Sequence, residues 1–103
     1  MFLFHKEPKN LSEGFRQAQE TEGAVLLDVR TREEYSGGHL PGSVNLPLDK
    51  LEQISYEKET PLFVYCRSGA RSGRAVEVLK KKGYENAVNI GGVLGYNGPL
   101  ERS

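Results

Sequence analysis

Two short runs of consecutive apolar residues constrain the fold of this chain most strongly. Residues 24–27 read AVLL and residues 62–65 read LFVY, and each run has the length of a β-strand. A strand that is apolar on both faces belongs in a sheet that is covered on both sides. Helical patterns lie between and after the two runs. Strands that alternate with helices predict an α/β domain with a mostly parallel sheet.

Capping and turn residues predict the remaining elements. Asn10 and Thr31 each precede a helical pattern and have a glutamate three residues later, which is typical of helix starts, and Asp49 is placed to cap another short helix. A longer helix begins near Ser72 and ends before Gly83. The two other strand candidates are short and are bounded by turn residues: 43–46 and 87–90.

Composition limits the size and the partners of the domain. The 103 residues predict one domain over residues 1–103, and the 14 basic and 14 acidic residues cancel, so neither a nucleic acid nor a membrane is expected as a partner. Residues 1–8 contain a short apolar run without the basic start of a signal peptide. A single cysteine excludes an internal disulfide and suits a reducing compartment. We therefore expect a cytoplasmic protein.

The single cysteine, Cys66, directly follows the second apolar run. Ligands of open parallel sheets bind beyond the carboxyl ends of the strands. The residues from Arg67 to Arg71 include small ones whose backbone amides can surround an anionic atom. These amides, the positive end of the helix near Ser72 and the two guanidinium groups would each favour a thiolate. The alternative is an inert buried thiol, which does not explain two arginines in a glycine-containing loop.

Three segments of the chain together resemble the rhodanese family of sulfurtransferases. They contain the sequences LDVR, EY and GHLPGSVNLP, the sequence FVYCRSGARS around Cys66, and the sequence VNIGG, in the order and at the spacing of that family. The resemblance implies a three-layer α/β/α domain with a central, mostly parallel sheet of five strands. It covers roughly residues 10–97.

The same resemblance implies an activity and its residues. Cys66 would be the nucleophile that takes a sulfane sulfur from thiosulfate or a related small anionic donor and carries it as a persulfide. An external thiol, a protein thiol or cyanide would then accept the sulfur. No metal or organic cofactor is implied. The implied donor-binding residues form the loop after the nucleophile: Arg67, Ser68, Gly69, Ala70 and Arg71.

Other functions of a reactive cysteine remain as alternatives. Phosphatases and arsenate reductases of this fold use a C-x5-R loop, whereas Cys66 and Arg71 form a C-x4-R loop, which is one residue shorter. A redox sensor or a regulatory binding module is the other alternative. His39 lies in a Gly-His-Leu-Pro-Gly turn, where a structural role is expected. Asp28 and Arg30 follow the first strand and either form an ion pair that fixes the loop or act behind the Cys66 pocket.

Overall fold

The computed structural model describes residues 7–103. The N-terminal apolar run, which lacks the basic start of a signal peptide, lies outside these residues. The elements follow one another along the chain in this order: α1 Leu11–Glu20, β1 Val25–Asp28, α2 Arg32–Ser36, β2 Val44–Asn45, a 3-10 helix Leu48–Gln53, β3 Leu62–Cys66, α3 Ala70–Lys81 and β4 Ala87–Gly92.

The four strands form one parallel sheet in the order β2-β1-β3-β4. The two apolar runs lie beside each other at its centre, where Leu27 of β1 pairs with Val64 of β3. The α/β prediction is therefore confirmed. The number of strands was wrong for residues 7–103, which form four strands and not five. The fifth strand was implied by the resemblance alone, since the sequence pattern within these residues contains only four strand candidates.

Both faces of the sheet are covered, as continuous apolar strands require. On one face Leu27 and Val64 pack with α3 and the 3-10 helix, through Ala75, Leu79 and Leu51. On the other face, residues that alternate with these pack against α1, and this second cluster contains Leu11, Leu26, Phe63, Tyr65 and Ile90. Consecutive residues of β1 and β3 thus supply opposite cores, and the three-layer arrangement is confirmed.

The structure corrects two of the predicted helix starts. Asn10 and Thr31 cap α1 and α2 as predicted, and Thr31 forms a complete capping box with Glu34. Asp49, by contrast, lies inside the 3-10 helix, whose cap is Pro47. Helix α3 begins at Ala70, two residues before Ser72, because Gly69 takes a left-handed conformation with φ of 100° at its N-cap. Only glycine adopts that conformation readily.

A substitution in α1 tests how closely that helix approaches the sheet. A Cβ atom on Gly14 would lie 2.7 Å from Cγ2 of Ile90, which is 2% exposed. We expect Gly14→Ala to lower the free energy of unfolding by about 1–3 kcal/mol through overpacking, although alanine favours helices. Chemical denaturation measures this effect. Ser12→Ala, on the exposed side of α1, is the control and should change stability by less than about 0.5 kcal/mol. Equal effects of the two variants would contradict the close packing.

Candidate active site

Cys66 is the last residue of β3, at the carboxyl edge of the sheet. Its side chain is 1% exposed. Strand β3 is flanked by β1 and β4, so the carboxyl ends of both neighbours lie beside the cysteine. The loop of residues 67–69 then leads into α3, and the N-terminus of that helix, with its partial positive charge, is close to the sulfur.

Four donor groups surround the sulfur atom of Cys66, namely the amides of Ser68, Gly69 and Ser72 and the Ser72 hydroxyl. The amide N–H of Gly69 donates to Sγ at 3.0 Å, and the amide and hydroxyl of Ser72 each lie 3.4 Å from it. Burial by itself raises the pKa of the Cys66 thiol. Hydrogen bonds from the Ser72 hydroxyl and from the amides of Ser72, Gly69 and Ser68 outweigh that effect, and the pKa is lowered. The site therefore stabilises a thiolate.

The two residues that follow β4 hold the first part of the loop through backbone hydrogen bonds. The amides of Val93 and Leu94 donate to the carbonyl oxygens of Cys66 and Arg67 at 3.1 and 2.9 Å. Gly92 makes this approach possible, because a Cβ atom there would lie 2.5 Å from the amide nitrogen of Ser68. The loop and the end of β4 thus continue the pairing of the two strands beyond the sheet.

Asn89 of β4 connects the second part of the loop to the sheet. Its Nδ2 donates to the carbonyl of Gly69 at 3.1 Å. Its Oδ1 accepts from the Ser72 hydroxyl at 2.7 Å and from the Gly91 amide at 2.9 Å. The Ser72 hydroxyl has one proton, and both this oxygen and Sγ of Cys66 can accept it. If the proton turns to the sulfur, Oδ1 of Asn89 keeps the Gly91 amide as its partner.

Arg71 forms a bidentate ion pair with Glu34 of α2. Its Nη1 and Nη2 atoms donate to the two carboxylate oxygens at 2.8 and 2.9 Å. The hydrogen bonds from Arg71, which outweigh burial, together with those from Thr31, hold the pKa of Glu34 at about 2. Glu34 is therefore ionised at neutral pH. The pair connects the start of α3 to the helix that follows β1.

The other residues of the predicted donor loop lie around the sulfur in different ways. Arg67 is exposed and takes part in none of the ion pairs found among residues 7–103. Ser68 and Gly69 contribute their amides, as predicted from the loop composition. Ala70, by contrast, makes no hydrogen bond to the sulfur within the described part of the chain, where the amide of Ser72 takes that position.

Asp28 and Arg30 form a buried ion pair at the end of β1. The shortest of its contacts joins Arg30 Nη2 to Asp28 Oδ2 at 2.7 Å, and the same Nη2 atom donates to the Gly38 carbonyl at 2.7 Å. Of the two roles considered above, the loop-fixing ion pair is the one that these contacts form. Neither residue hydrogen-bonds to the sulfur within residues 7–103.

His39 has the structural role expected from its turn. Its ring stacks on Tyr35 with 3.7 Å between the centroids, and its Nδ1 lies 2.8 Å from the Tyr35 carbonyl oxygen. Within residues 7–103 no group of three or more His, Cys, Asp or Glu side chains is arranged to hold a metal ion. No helix in that range has the length and apolar character needed to cross a membrane.

Three residues of the site were not predicted as site residues: Ser72, Glu34 and Asn89. All three lie in the segments that resemble the rhodanese family, but Ser72 was used only to place the start of a helix, Asn89 only as part of a strand and Glu34 only as part of a capping box. The position of Ser72 could have indicated its contact with Cys66. In the first turn of a helix that starts beside a thiolate, a side-chain hydroxyl can face the same sulfur atom as the backbone amides. The other two belong to segments distant in sequence, and no local pattern indicates their contacts with the loop.

Comparisons with known proteins agree with this geometry. The family model of the rhodanese-like domain matches residues 11–98. Thiosulfate sulfurtransferase PspE of Escherichia coli is 38% identical over 71 residues, which are 65% of this chain and 68% of that protein. The uncharacterized protein YqhL of Bacillus subtilis is 38% identical over 91 residues, or 85% of this chain and 68% of its own length. The chain spans less than half of two further relatives.

A solved structure supports the same assignment at the level of the fold. The rhodanese-like domain protein of Staphylococcus aureus superposes with a TM-score of 0.79 at 28% identity, covering 95% of this chain and 99% of that one. The chain therefore belongs to the rhodanese-like family, and its sulfurtransferase relatives support membership among the rhodanese sulfurtransferases.

A substitution of Ser72 tests the origin of the thiolate. In Ser72→Ala the sulfur stays buried but loses the hydroxyl donor, so we expect the pKa of Cys66 to rise and its alkylation by iodoacetamide to slow at neutral pH. The pH dependence of the alkylation rate measures the shift. Ser68→Ala is the matched control, because it removes an exposed hydroxyl and keeps the amide. An unchanged profile in Ser72→Ala would show that the hydroxyl does not stabilise the thiolate.

Proposed function

We propose that this protein is a sulfurtransferase that carries sulfane sulfur as a persulfide on Cys66, with thiosulfate or a related small anion as the donor. The observation that supports this most directly is the group of donors on Sγ of Cys66, at the carboxyl end of β3. One relative, PspE, is named a thiosulfate sulfurtransferase. The acceptor in this proposal is an external thiol, a protein thiol or cyanide, and no cofactor takes part.

The first step is attack by the Cys66 thiolate on the outer sulfur of thiosulfate. A bond forms between Sγ and that outer sulfur, while the bond from the outer sulfur to the sulfonate sulfur breaks, and its electron pair leaves with sulfite. The charges balance, because a monoanion and a dianion become a persulfide monoanion and a sulfite dianion. The amides around Sγ are fixed before the reaction and need no reorientation to stabilise the sulfur, and the Ser72 hydroxyl has only to turn its proton from Asn89 to Sγ.

The second step returns the enzyme to its starting state. An acceptor thiolate or cyanide attacks the outer sulfur of the Cys66 persulfide, the S–S bond breaks, and its electron pair stays on Sγ. Cys66 is the only cysteine of the chain, so the acceptor must come from outside it. The lone thiol is also the reason for proposing a reducing, cytoplasmic setting.

Mass spectrometry of Cys66 tests the proposed carrier. After treatment with thiosulfate we expect the mass of one sulfur atom on Cys66, removed again by cyanide, because the thiolate is the attacking group. Cys66→Ser should fold, show no mass gain and lose sulfur transfer by at least a factor of about 1,000. Circular dichroism checks the fold of the variant. Sulfur transfer that persists in Cys66→Ser would exclude Cys66 as the carrier.

Arg67 supplies the charge for a second test. As an exposed cation directly after Cys66, it attracts an anionic donor, and no ion pair found among residues 7–103 compensates its charge. We expect Arg67→Ala to raise the KM for thiosulfate about two- to fivefold, the range for an exposed charge contact. Arg74→Ala, which removes another exposed arginine one helical turn beyond Arg71, is the control. A KM for thiosulfate that Arg67→Ala leaves unchanged would contradict a role of Arg67 in donor binding.

A further inference from the structure

Arg71, for which the family resemblance implies donor binding, already forms an ion pair with a carboxylate. Both of its terminal nitrogens are within 2.9 Å of an oxygen of Glu34. This bidentate arrangement is among the stronger hydrogen-bonded ion pairs in proteins. The side chains of both residues are 30% exposed, so the pair lies at the surface of the protein and not in its core. A donor that approaches Arg71 therefore meets the charge of Glu34 as well.

The ion pair of Arg71 and Glu34 has little net charge. Glu34 is ionised at neutral pH, and its charge offsets that of Arg71 at close range. Arg67, the other cation of the loop, takes part in no ion pair among the described residues, so its charge is not offset in this way. Coulomb repulsion by a carboxylate grows in proportion to the charge of the approaching anion. A dianion such as thiosulfate is therefore repelled twice as strongly as a monoanion that binds at the same place.

We propose that Glu34 is a specificity-determining residue that weakens the attraction of the site for doubly charged donors and so favours singly charged persulfides. This inference rests on the proposed function and names the class of donor that the site prefers. It assigns to Glu34 a role beyond the capping of α2. The carboxylate acts through its charge, and it does not touch the reacting sulfur atoms.

A structural role of Glu34 can be separated from its charge. Glu34 also accepts a hydrogen bond from the Thr31 amide at 2.9 Å, which completes the capping box of α2. Glutamine supports the same capping box. Glu34→Gln therefore keeps the helix start and one hydrogen bond to Arg71, and it removes only the negative charge. Glu33, the preceding residue of α2, is exposed, and Glu33→Gln removes a charge from the same helix as a matched control.

The experiment compares thiosulfate with the persulfide of 2-mercaptoethanol, a monoanion without other charges. We expect Glu34→Gln to lower the KM for thiosulfate about fivefold and that for the persulfide about twofold, in keeping with the ratio of the donor charges. The effect should shrink at high salt, because exposed charges are screened. A purely structural effect would not depend on salt or on donor charge.

A binding measurement keeps this inference separate from the proposed function. Calorimetry of thiosulfate with Cys66→Ser, with and without Glu34→Gln, measures the attraction of the dianion without any turnover. We expect the second substitution to lower the Kd about fivefold. An unchanged Kd, or an equal change in Glu33→Gln, would overturn the role of Glu34 even if sulfur transfer is found. Absence of a persulfide on wild-type Cys66 would instead overturn the proposed function and leave the Kd comparison valid.

Discussion

The buried ion pair between Asp28 and Arg30 is the contact on which the geometry around Cys66 depends. Both side chains lie at the end of β1, and Arg30 also holds the carbonyl of Gly38, so the whole segment that contains α2 is fixed to the sheet. Helix α2 in turn carries Glu34, which binds Arg71 at the start of α3. Breaking a buried ion pair by removing one partner typically costs about 3–5 kcal/mol. We therefore expect loss of this pair to disturb the loop around Cys66 as well as the fold.

The residues that lower the pKa of Cys66 are not the charged ones that follow it in the sequence. Arginines after a cysteine are the conspicuous sequence feature, but the hydrogen bonds that lower the pKa of Cys66 come from Ser72, Gly69 and Ser68. Amide groups are fixed by the backbone and cannot turn away, whereas a guanidinium group on a long side chain can bind another partner. Arg71 does so with Glu34. The backbone amides and the Ser72 hydroxyl thus stabilise the thiolate, and a role in attracting anions is left, in our proposal, to the exposed Arg67.

Local sequence patterns predicted those strands and helix starts that depend only on residues close together in the chain. The apolar run before Cys66 fixed the position of β3, and the caps at Asn10 and Thr31 fixed the starts of two helices, because a cap involves only residues three apart. The start of α3 was predicted two residues late, since the left-handed Gly69 at its N-cap is held by Asn89 of β4, which is distant in sequence.

Contacts between distant segments could not be predicted in the same way. Glu34 and Arg71 are 37 residues apart, and Ser72 and Asn89 are 17 residues apart. The sequence around each of these four residues does not show that its side chain has a partner in a distant segment. The parallel sheet brings strand ends together, which predicts the edge where the site lies but not the side-chain partners there. The ion pair of Arg71 therefore became visible only in the structure.

The hydrogen bonds that hold the loop after Cys66 come from one short segment of the chain, residues 89–94. The carbonyls of Cys66 and Arg67 are held by Val93 and Leu94, and Asn89 holds that of Gly69. One end of the arc from Cys66 to Gly69 is thus attached to the two residues after β4, and the other end is attached to Asn89 within β4. The positions of the loop amides that face the sulfur therefore depend on residues 89–94 as well as on the loop itself.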